Sequence, residues 1–281
     1  MAIKDILLHL DPDTDMKTDI AAAVALAEAN DAHLAGLYVS VPASQVPAFT
    51  MVGLPPDLME SIEAREREAE AAVHKIYEEA LSRSSIAVDY RRDSGSAAAV
   101  ADVIGQHARH SDLLIMGQSR PDTTRAGGHE VVEEAILAAG RPVLVMPYTG
   151  TRQTFAKNVV VGWDGSREAA RALGDAMPLI EKADKVHVMV VNPDKRRGAH
   201  GEMPGADIST HLARHGLKVE LDVENARDID PANFILSRCA DIGADLLVMG
   251  AFAHSRIQQT LFGGVTRSIL QQMTVPVLLS H

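Results

Sequence analysis

The stretch Leu246-Leu247-Val248-Met249-Gly250-Ala251-Phe252-Ala253-His254-Ser255-Arg256, followed after five residues by Phe262-Gly263-Gly264-Val265-Thr266-Arg267, decides how this chain is read. An apolar run of strand length ends in a glycine, a polar loop follows, and a glycine pair opens a segment with helical spacing. Glycines at such points let backbone N–H groups come close to a ligand, and a helix start offers unpaired N–H groups and a positive dipole end to an anion. Two readings stand side by side: a phosphate cradle for a nucleotide, or a strand-to-helix connection whose glycines only make tight turns.

The surrounding chain repeats this plan. Asp245 to Gly250 matches Asp112 to Gly117 at an offset of 133, and Pro276 to Leu279 matches Pro142 to Val145 at an offset of 134. The segment Val159-Val160-Val161-Gly162-Trp163-Asp164 matches Ile6 to Asp11 at an offset of 153. The extra chain in the first copy is the proline-containing segment 41–56 and a long helix expected over 57–82, with Asp57 as its N-cap. Apolar strand-length runs at 3–11, 33–39, 86–91, 112–117 and 142–147 alternate with helical stretches at 18–30, 96–110 and 128–139. The second copy places strands at 159–164, 186–191, 217–223, 246–250 and 276–279, with helices at 166–181, 206–215 and 231–242. Such alternation predicts an α/β fold with a parallel sheet and helices on both faces, and an internal duplication. The polar joint at 150–156 divides the chain into domains at 1–150 and 155–281.

Composition narrows the function. Of 281 residues 46% are hydrophobic and 4% aromatic, so a sizeable core is expected and stacking platforms for single-stranded nucleic acid are not. The net charge of −11 weighs against binding nucleic acid or an anionic membrane. Residues 1–150 carry 12 Lys+Arg and 23 Asp+Glu, whereas residues 151–281 carry 15 of each, so an anion meets less repulsion in the second half. The single cysteine, Cys239, excludes an internal disulfide and fits a reducing, cytoplasmic compartment. Lys4, Asp5 and Asp11 interrupt any apolar leader, and no uncharged run is long enough for a membrane span.

With the repeat and the glycine pattern in hand, the chain resembles the universal stress protein family in its tandem two-domain form. Nucleotide-binding members carry a pattern like Gly-x2-Gly-x9-Gly-(Ser/Thr) after strand 4 and an Asp after strand 1. Here the positions read Gly250, Ala253, Gly263 and Gly264, so spacing is kept and two of four residues differ. The resemblance implies an adenine nucleotide alpha hydrolase-like fold, two five-stranded doubly wound domains of strand order 3-2-1-4-5. It implies a pseudo-dimer paired through Val143–Met146 and Val275–Leu279, with a homo-oligomer open beyond it. It implies that Asp164 holds the ribose or adenine edge beside Gly162 and Trp163, that Val191 packs on the adenine, and that Met249 and Gly250 line base and ribose. Ala253 stands in the loop, while Gly263, Gly264, Val265 and Thr266 would meet the phosphates, with His254, Arg256 and Arg267 as further phosphate contacts. The ligand so implied is ATP or a related adenine nucleotide, with Mg²⁺ as its accompanying ion. Independently, doubly wound sheets bind ligands outside the carboxyl ends of strands at the switch point, where Asp164 and Gly250 sit.

The first copy departs further. After Gly117 it has Pro121 and Asp122 in the loop, and its Gly127-Gly128 pair comes ten residues on rather than thirteen. No nucleotide is expected there, although Arg120 and Arg125 beside the glycine pair suit some other anion. A P-loop, a Gly-x-Gly-x-x-Gly after a strand and a Gly-x-Ser-x-Gly elbow are all missing from the sequence. His211 and His215, four apart, with His200 as third ligand, form the one metal candidate, and an exposed pair on a polar helix is the preferred reading. The helix at 57–82 is expected to pack a Leu58/Ile62/Ala69/Val73/Ile76 stripe inward. The expectation is a regulatory nucleotide-binding module without a catalytic residue, at most a slow ATPase. The alternative is a nucleotide-free interaction module whose phosphate site is lost.

Overall fold

The computed structural model describes residues 2–42, 56–82, 84–120, 128–149, 156–193, 203–226, 229–252 and 264–281. Packing divides the chain into two compact units, Ile3–Arg141 and Pro142–His281, with Met1–Ala2 counted in the latter.

The first unit runs β1 (Asp5–His9), α1 (Met16–Asn30), β2 (His33–Ser40), α2 (Pro56–Leu81), β3 (Val88–Ser94), α3 (Val100–Ala108), β4 (Leu113–Gly117) and α4 (Gly128–Ala139). Its sheet has the order β3-β2-β1-β4, with every pairing parallel. Leu7, Leu8, Leu114 and Ile115 are 0% exposed, as expected of apolar runs covered on both faces. Helix α2 begins at Pro56, so Asp57 lies inside the first turn and is not the cap. A proline suits a first helical turn because its missing N–H would be unpaired there anyway. Val73 of the expected stripe is buried, and Ile62, Ala69 and Ile76 are half-buried. The anchor of this helix is Tyr77, 2% exposed, whose hydroxyl donates to the Asp89 carbonyl at 3.1 Å. Its ring fills the space that a side chain at Gly36 would need, a Cβ there falling 2.7 Å from the ring.

The second unit begins with β5 (Val143–Met146) and continues with β6 (Asn158–Gly162), α5 (Arg167–Ile180), β7 (Lys185–Val191), α6 (Ala206–Arg214), β8 (Val219–Glu224), α7 (Pro231–Asp241), β9 (Leu246–Gly250), α8 (Val265–Gln272) and β10 (Val277–Ser280). Its order is β5-β10-β9-β6-β7-β8. All pairings are parallel except β5 with β10, an antiparallel ladder of Val145↔Val277, Leu144↔Leu278 and Val143↔Leu279. Val159, Val160, Leu246, Leu247 and Val277 are 0% exposed. Each such side chain contributes about 1.5–3 kcal/mol by leaving water. Reading β6 to β10 as strands 1 to 5 of a copy gives the order 3-2-1-4-5. The order reverses between β6 and β9, and their carboxyl ends open the crevice described next.

Candidate functional site

A cleft of about 200 Å³ opens at the carboxyl ends of β6, β7 and β9. It gathers residues far apart in sequence. Gly162, Trp163 and Asp164 come from the end of β6, Val191 from β7, Met249 and Gly250 from β9, and Gly264, Val265 and Thr266 from the start of α8. These nine are all singled out by the sequence. Ala253, His254, Arg256 and Gly263 lie outside the described residues, and Arg267 sits in the first turn of α8 without lining the cleft.

Each wall has a local cause. The Trp163 N–H donates to the Met189 carbonyl at 2.8 Å, continuing the β6–β7 ladder one residue past the strand. The chain then turns through Gly165 at φ 72°, a left-handed conformation that glycine adopts without a Cβ clash. The turn is closed by Asp164, whose Oδ1 accepts from the Ser166 N–H at 3.0 Å and from the Ser166 hydroxyl at 2.6 Å. Ser166 in turn caps α5, its hydroxyl oxygen accepting from the Ala169 N–H at 3.1 Å. Asp164 is thereby fixed at the rim, and it is the only carboxylate among the described lining residues.

The two glycines facing each other across the switch point do different work. A Cβ at Gly162 would meet only Met249 Cβ at 3.5 Å and the Val248 carbonyl at 3.8 Å, both ordinary contacts. A Cβ at Gly250 would fall 2.5 Å from the Ala169 nitrogen and 2.6 Å from the Glu168 carbonyl carbon. Gly250 is therefore glycine so that the first turn of α5 can lie against the end of β9. Glu168, packed there at 5% exposure, has its carboxyl raised by burial, but the Arg167 guanidinium at 2.5 Å outweighs this and holds it below the usual range.

Helix α8 enters the cleft by its N-terminus. Its N-cap is Gly264, which has no side chain to receive the first-turn N–H groups, and no side-chain cap is formed among the described residues. Thr266, 6% exposed, accepts a long 3.4 Å hydrogen bond from the Phe252 N–H, and Phe252 is held at φ 55°. The arrangement is a largely apolar slot whose lining includes one carboxylate and the start of α8. A ring fits the slot, a hydroxyl-bearing sugar suits the carboxylate, and an anion suits the helix start.

Four lining residues escaped the sequence reading: Met189, Pro231, Ile235 and Phe252. Met189 was accessible by strand period, two residues before Val191 on one face. Pro231 and Ile235 follow the Asp230 cap of α7 at helical spacing, but their meeting with β7 is a tertiary fact. The histidine pair lies elsewhere. His211 on α6 and His215, the residue at its C-cap, are exposed with ring centroids 4.8 Å apart, and His200 lies outside the described residues. Among the described residues no group of three or more His, Cys, Asp or Glu is placed to hold a metal ion. None of the described helices is long and apolar enough to cross a membrane.

Residues 156–281 match the model of the universal stress protein family. A universal stress protein of Synechocystis is 31% identical over 173 residues, which cover 59% of this chain and 57% of that relative's length. Among solved structures, a universal stress protein from Archaeoglobus fulgidus aligns over 98% of this chain and 95% of its own, with a TM-score of 0.72 at 18% identity. A protein of unknown function from Pseudomonas aeruginosa aligns over 99% and 92%, with a TM-score of 0.61 at 16% identity. Both structural likenesses speak to the fold.

Proposed function

Residues 156–281 belong to the universal stress protein family, and from that premise we propose that the second unit binds ATP or a related adenine nucleotide as a regulatory module. The observation that carries the reading is the convergence of Asp164, Val191 and the uncapped start of α8 on one cleft. The adenine lies in the apolar slot between Val191 and Met249, with Ile235 closing it. The ribose hydroxyls donate to Asp164, already oriented by Ser166. The phosphates lie against the N–H groups that Gly264 leaves uncapped, with the Thr266 hydroxyl as a further donor. Mg²⁺, if it accompanies the nucleotide, is carried on the phosphates.

The cleft offers binding rather than chemistry. General base catalysis of hydrolysis needs an acceptor within hydrogen-bond reach of the attacking water, beside the terminal phosphate. The single carboxylate among the described lining residues is engaged by Ser166 and, on this reading, by the ribose. The nucleotide therefore acts by stabilising the state that holds it, and turnover is slow or nil.

The test is thermal and chemical unfolding of the full chain with ATP, ADP and AMP, with and without Mg²⁺. A ligand at 100 times its dissociation constant stabilises by about 2.7 kcal/mol. Absence of any shift at millimolar concentrations of all three would leave the nucleotide-free interaction module as the surviving reading.

A further inference from the structure

Beneath α7 the second unit buries a histidine that its packing leaves unsatisfied. His187 lies on β7, is 4% exposed, and its Nδ1 has no hydrogen-bond partner among the described residues. Buried polar atoms in native structures are nearly always paired, so this one calls for a cause. Strand alternation puts His187 on the face of β7 that carries Met189 and Val191, two residues of the cleft lining. Helix α7 lies over that face through a stripe at helical spacing: Pro231, Ile235, Arg238 and Ile242. Pro231 and Ile235 line the cleft, and Arg238 donates to Asp222 Oδ2 of β8 at 3.2 Å. The carbonyl of Ile242, the C-cap residue, accepts from Asn158 Nδ2 of β6 at 2.6 Å. One helix thus spans the distance from the histidine to the cleft wall.

The charges around the imidazole are balanced without it. From β8, Glu220 Oε2 lies 3.5 Å and Asp222 Oδ2 3.9 Å from His187 Nδ1. Each carboxylate already has a cation: Lys185 Nζ of β7 is 2.6 Å from Glu220 Oε1, and Arg238 of α7 holds Asp222. On β6 the register partner of His187 is the uncharged Val160. Burial holds the imidazole below its ordinary proton affinity; Glu220 and Asp222 oppose this, and Lys185 and Arg238 reinforce it. The ring is therefore neutral at pH 7 while α7 is seated. A proton on it attracts Asp222 and repels Arg238, a contact that ties α7 to β8, and water relieves the buried charge once α7 lifts. Because the ring binds a proton more weakly beneath α7 than in water, the seated state has its full stability above pH 6.5 and loses it as pH falls.

We propose that a proton on His187 unseats α7 and with it the wall formed by Pro231 and Ile235, so that acid opens the cleft of the second unit. The first unit has a cleft of its own, about 250 Å³ at the carboxyl ends of β1 and β2, but not this device. Register there puts Ala35, 3% exposed, at the place of His187, since Ala35 pairs with Leu7 as His187 pairs with Val160. Arg120, expected there as an anion ligand, is not among the described residues lining that cleft and lies 3.9 Å from the Asp15 carboxylate. Arg125 lies outside the described residues. The inference rests on the nucleotide reading of the second unit only in the ligand arm of its test.

Amide hydrogen exchange of the full chain at pH 7.5 and 5.5, expressed as protection factors, tests this in the unmodified protein and in His187→Gln. Protection of Ile235, Arg238 and Cys239 on α7 should fall by up to about tenfold at the lower pH, the most that one histidine of ordinary affinity in the open state yields over that range. Val160 and Leu247 in the sheet should keep their protection, and in His187→Gln the fall at α7 should be absent. Should His187→Gln fail to fold, the ring resonances of His187 in the unmodified chain decide, since their titration must run with the loss of α7 protection. The affinity for Mg²⁺–ATP should drop from pH 7.5 to 5.5 by more in the unmodified chain than in His187→Gln. Protection of α7 that does not change with pH, or changes equally in His187→Gln, overturns the proposal. So does an α7 that opens in acid while ATP affinity falls alike in both proteins. ATP bound at neither pH, with α7 protection falling as expected, overturns the nucleotide reading of the cleft and leaves this inference standing.

Discussion

Gly162 and Gly250 flank the same crevice, yet a side chain would be accommodated at only one of them. Gly162→Leu keeps ordinary contacts at its Cβ and sends its side chain into open cleft. It is expected to lower ATP affinity more than about tenfold with little change in unfolding midpoint, as isothermal titration and thermal melts would report. Gly250→Ala instead drives a methyl into the backbone of α5 and should destabilise the second unit by about 1–3 kcal/mol. Unchanged stability in that variant would show that α5 can back away from β9. In the first unit, the residue with the largest consequence is Asp19, 2% exposed on α1. The Thr14 hydroxyl donates to Asp19 Oδ2 at 2.8 Å and lies 3.0 Å from the Asp11 carbonyl oxygen. Burial pushes the Asp19 carboxyl up to about 7; the Thr14 contact and Arg120 oppose this, and Asp15 and Asp11 reinforce it. The unfolded chain releases this proton near pH 4 and the folded chain near pH 7, so folding binds a proton between those values. Stability from this group is therefore greatest below pH 4, falls as pH rises to 7, and is flat above. The whole span is worth on the order of 4 kcal/mol at most. Asp19→Asn should remove that slope from urea midpoints measured across pH 4 to 8; an unaltered slope would assign it to another group.

At the scale of elements, strands were read well where burial is two-sided and poorly where it is not. Leu246–Gly250 and Leu113–Gly117 are continuous apolar runs and stand where the sequence puts them. Strand β3 was expected at 86–91 and lies at Val88–Ser94, because VDYRRDS is half polar, its side chains are largely exposed, and it pairs only with β2 among the described strands. The helix expected from residue 96 opens instead with a tighter 3₁₀ turn at Ala97–Ala99 before α3. The Gly250 packing role was illegible, since nothing in a strand-ending glycine says which helix leans on it. So was the place of Pro231 and Ile235 in the cleft that β7 also lines, a matter of how elements come together rather than of one element alone. The start of α8 was legible, because a glycine pair before a helical pattern signals an uncapped N-terminus whatever the fold. Helix α7 carries the lone cysteine as an inward position: Cys239 is 1% exposed and burial pushes its thiol up to about 12. It should stay unmodified by a disulfide reagent in the native chain and react fully in denaturant. Native reaction faster than global unfolding would mean that α7 opens by itself.

Two compact units of unequal charge make the whole molecule a poor candidate for uniform response. Residues 1–150 carry the entire net charge of −11, and residues 151–281 are balanced. A polyanion is therefore repelled by the net charge of the first unit and not by that of the second, beyond any difference at the clefts themselves. A ligand stabilises only the states that bind it, by an amount set by its concentration over its dissociation constant. Hydrogen exchange of the full chain with ATP at 100 times its dissociation constant should then slow β6, β9 and α8 by up to about a hundredfold, while β1 and β4 exchange as before. Val160 and Leu247 are suitable reporters in the second unit, and Leu8 and Ile115 in the first, since all four are fully buried ladder residues. Equal slowing of both sets by ATP would mean that the units open as one cooperative body, so that occupancy of one cleft is felt as stability at the other.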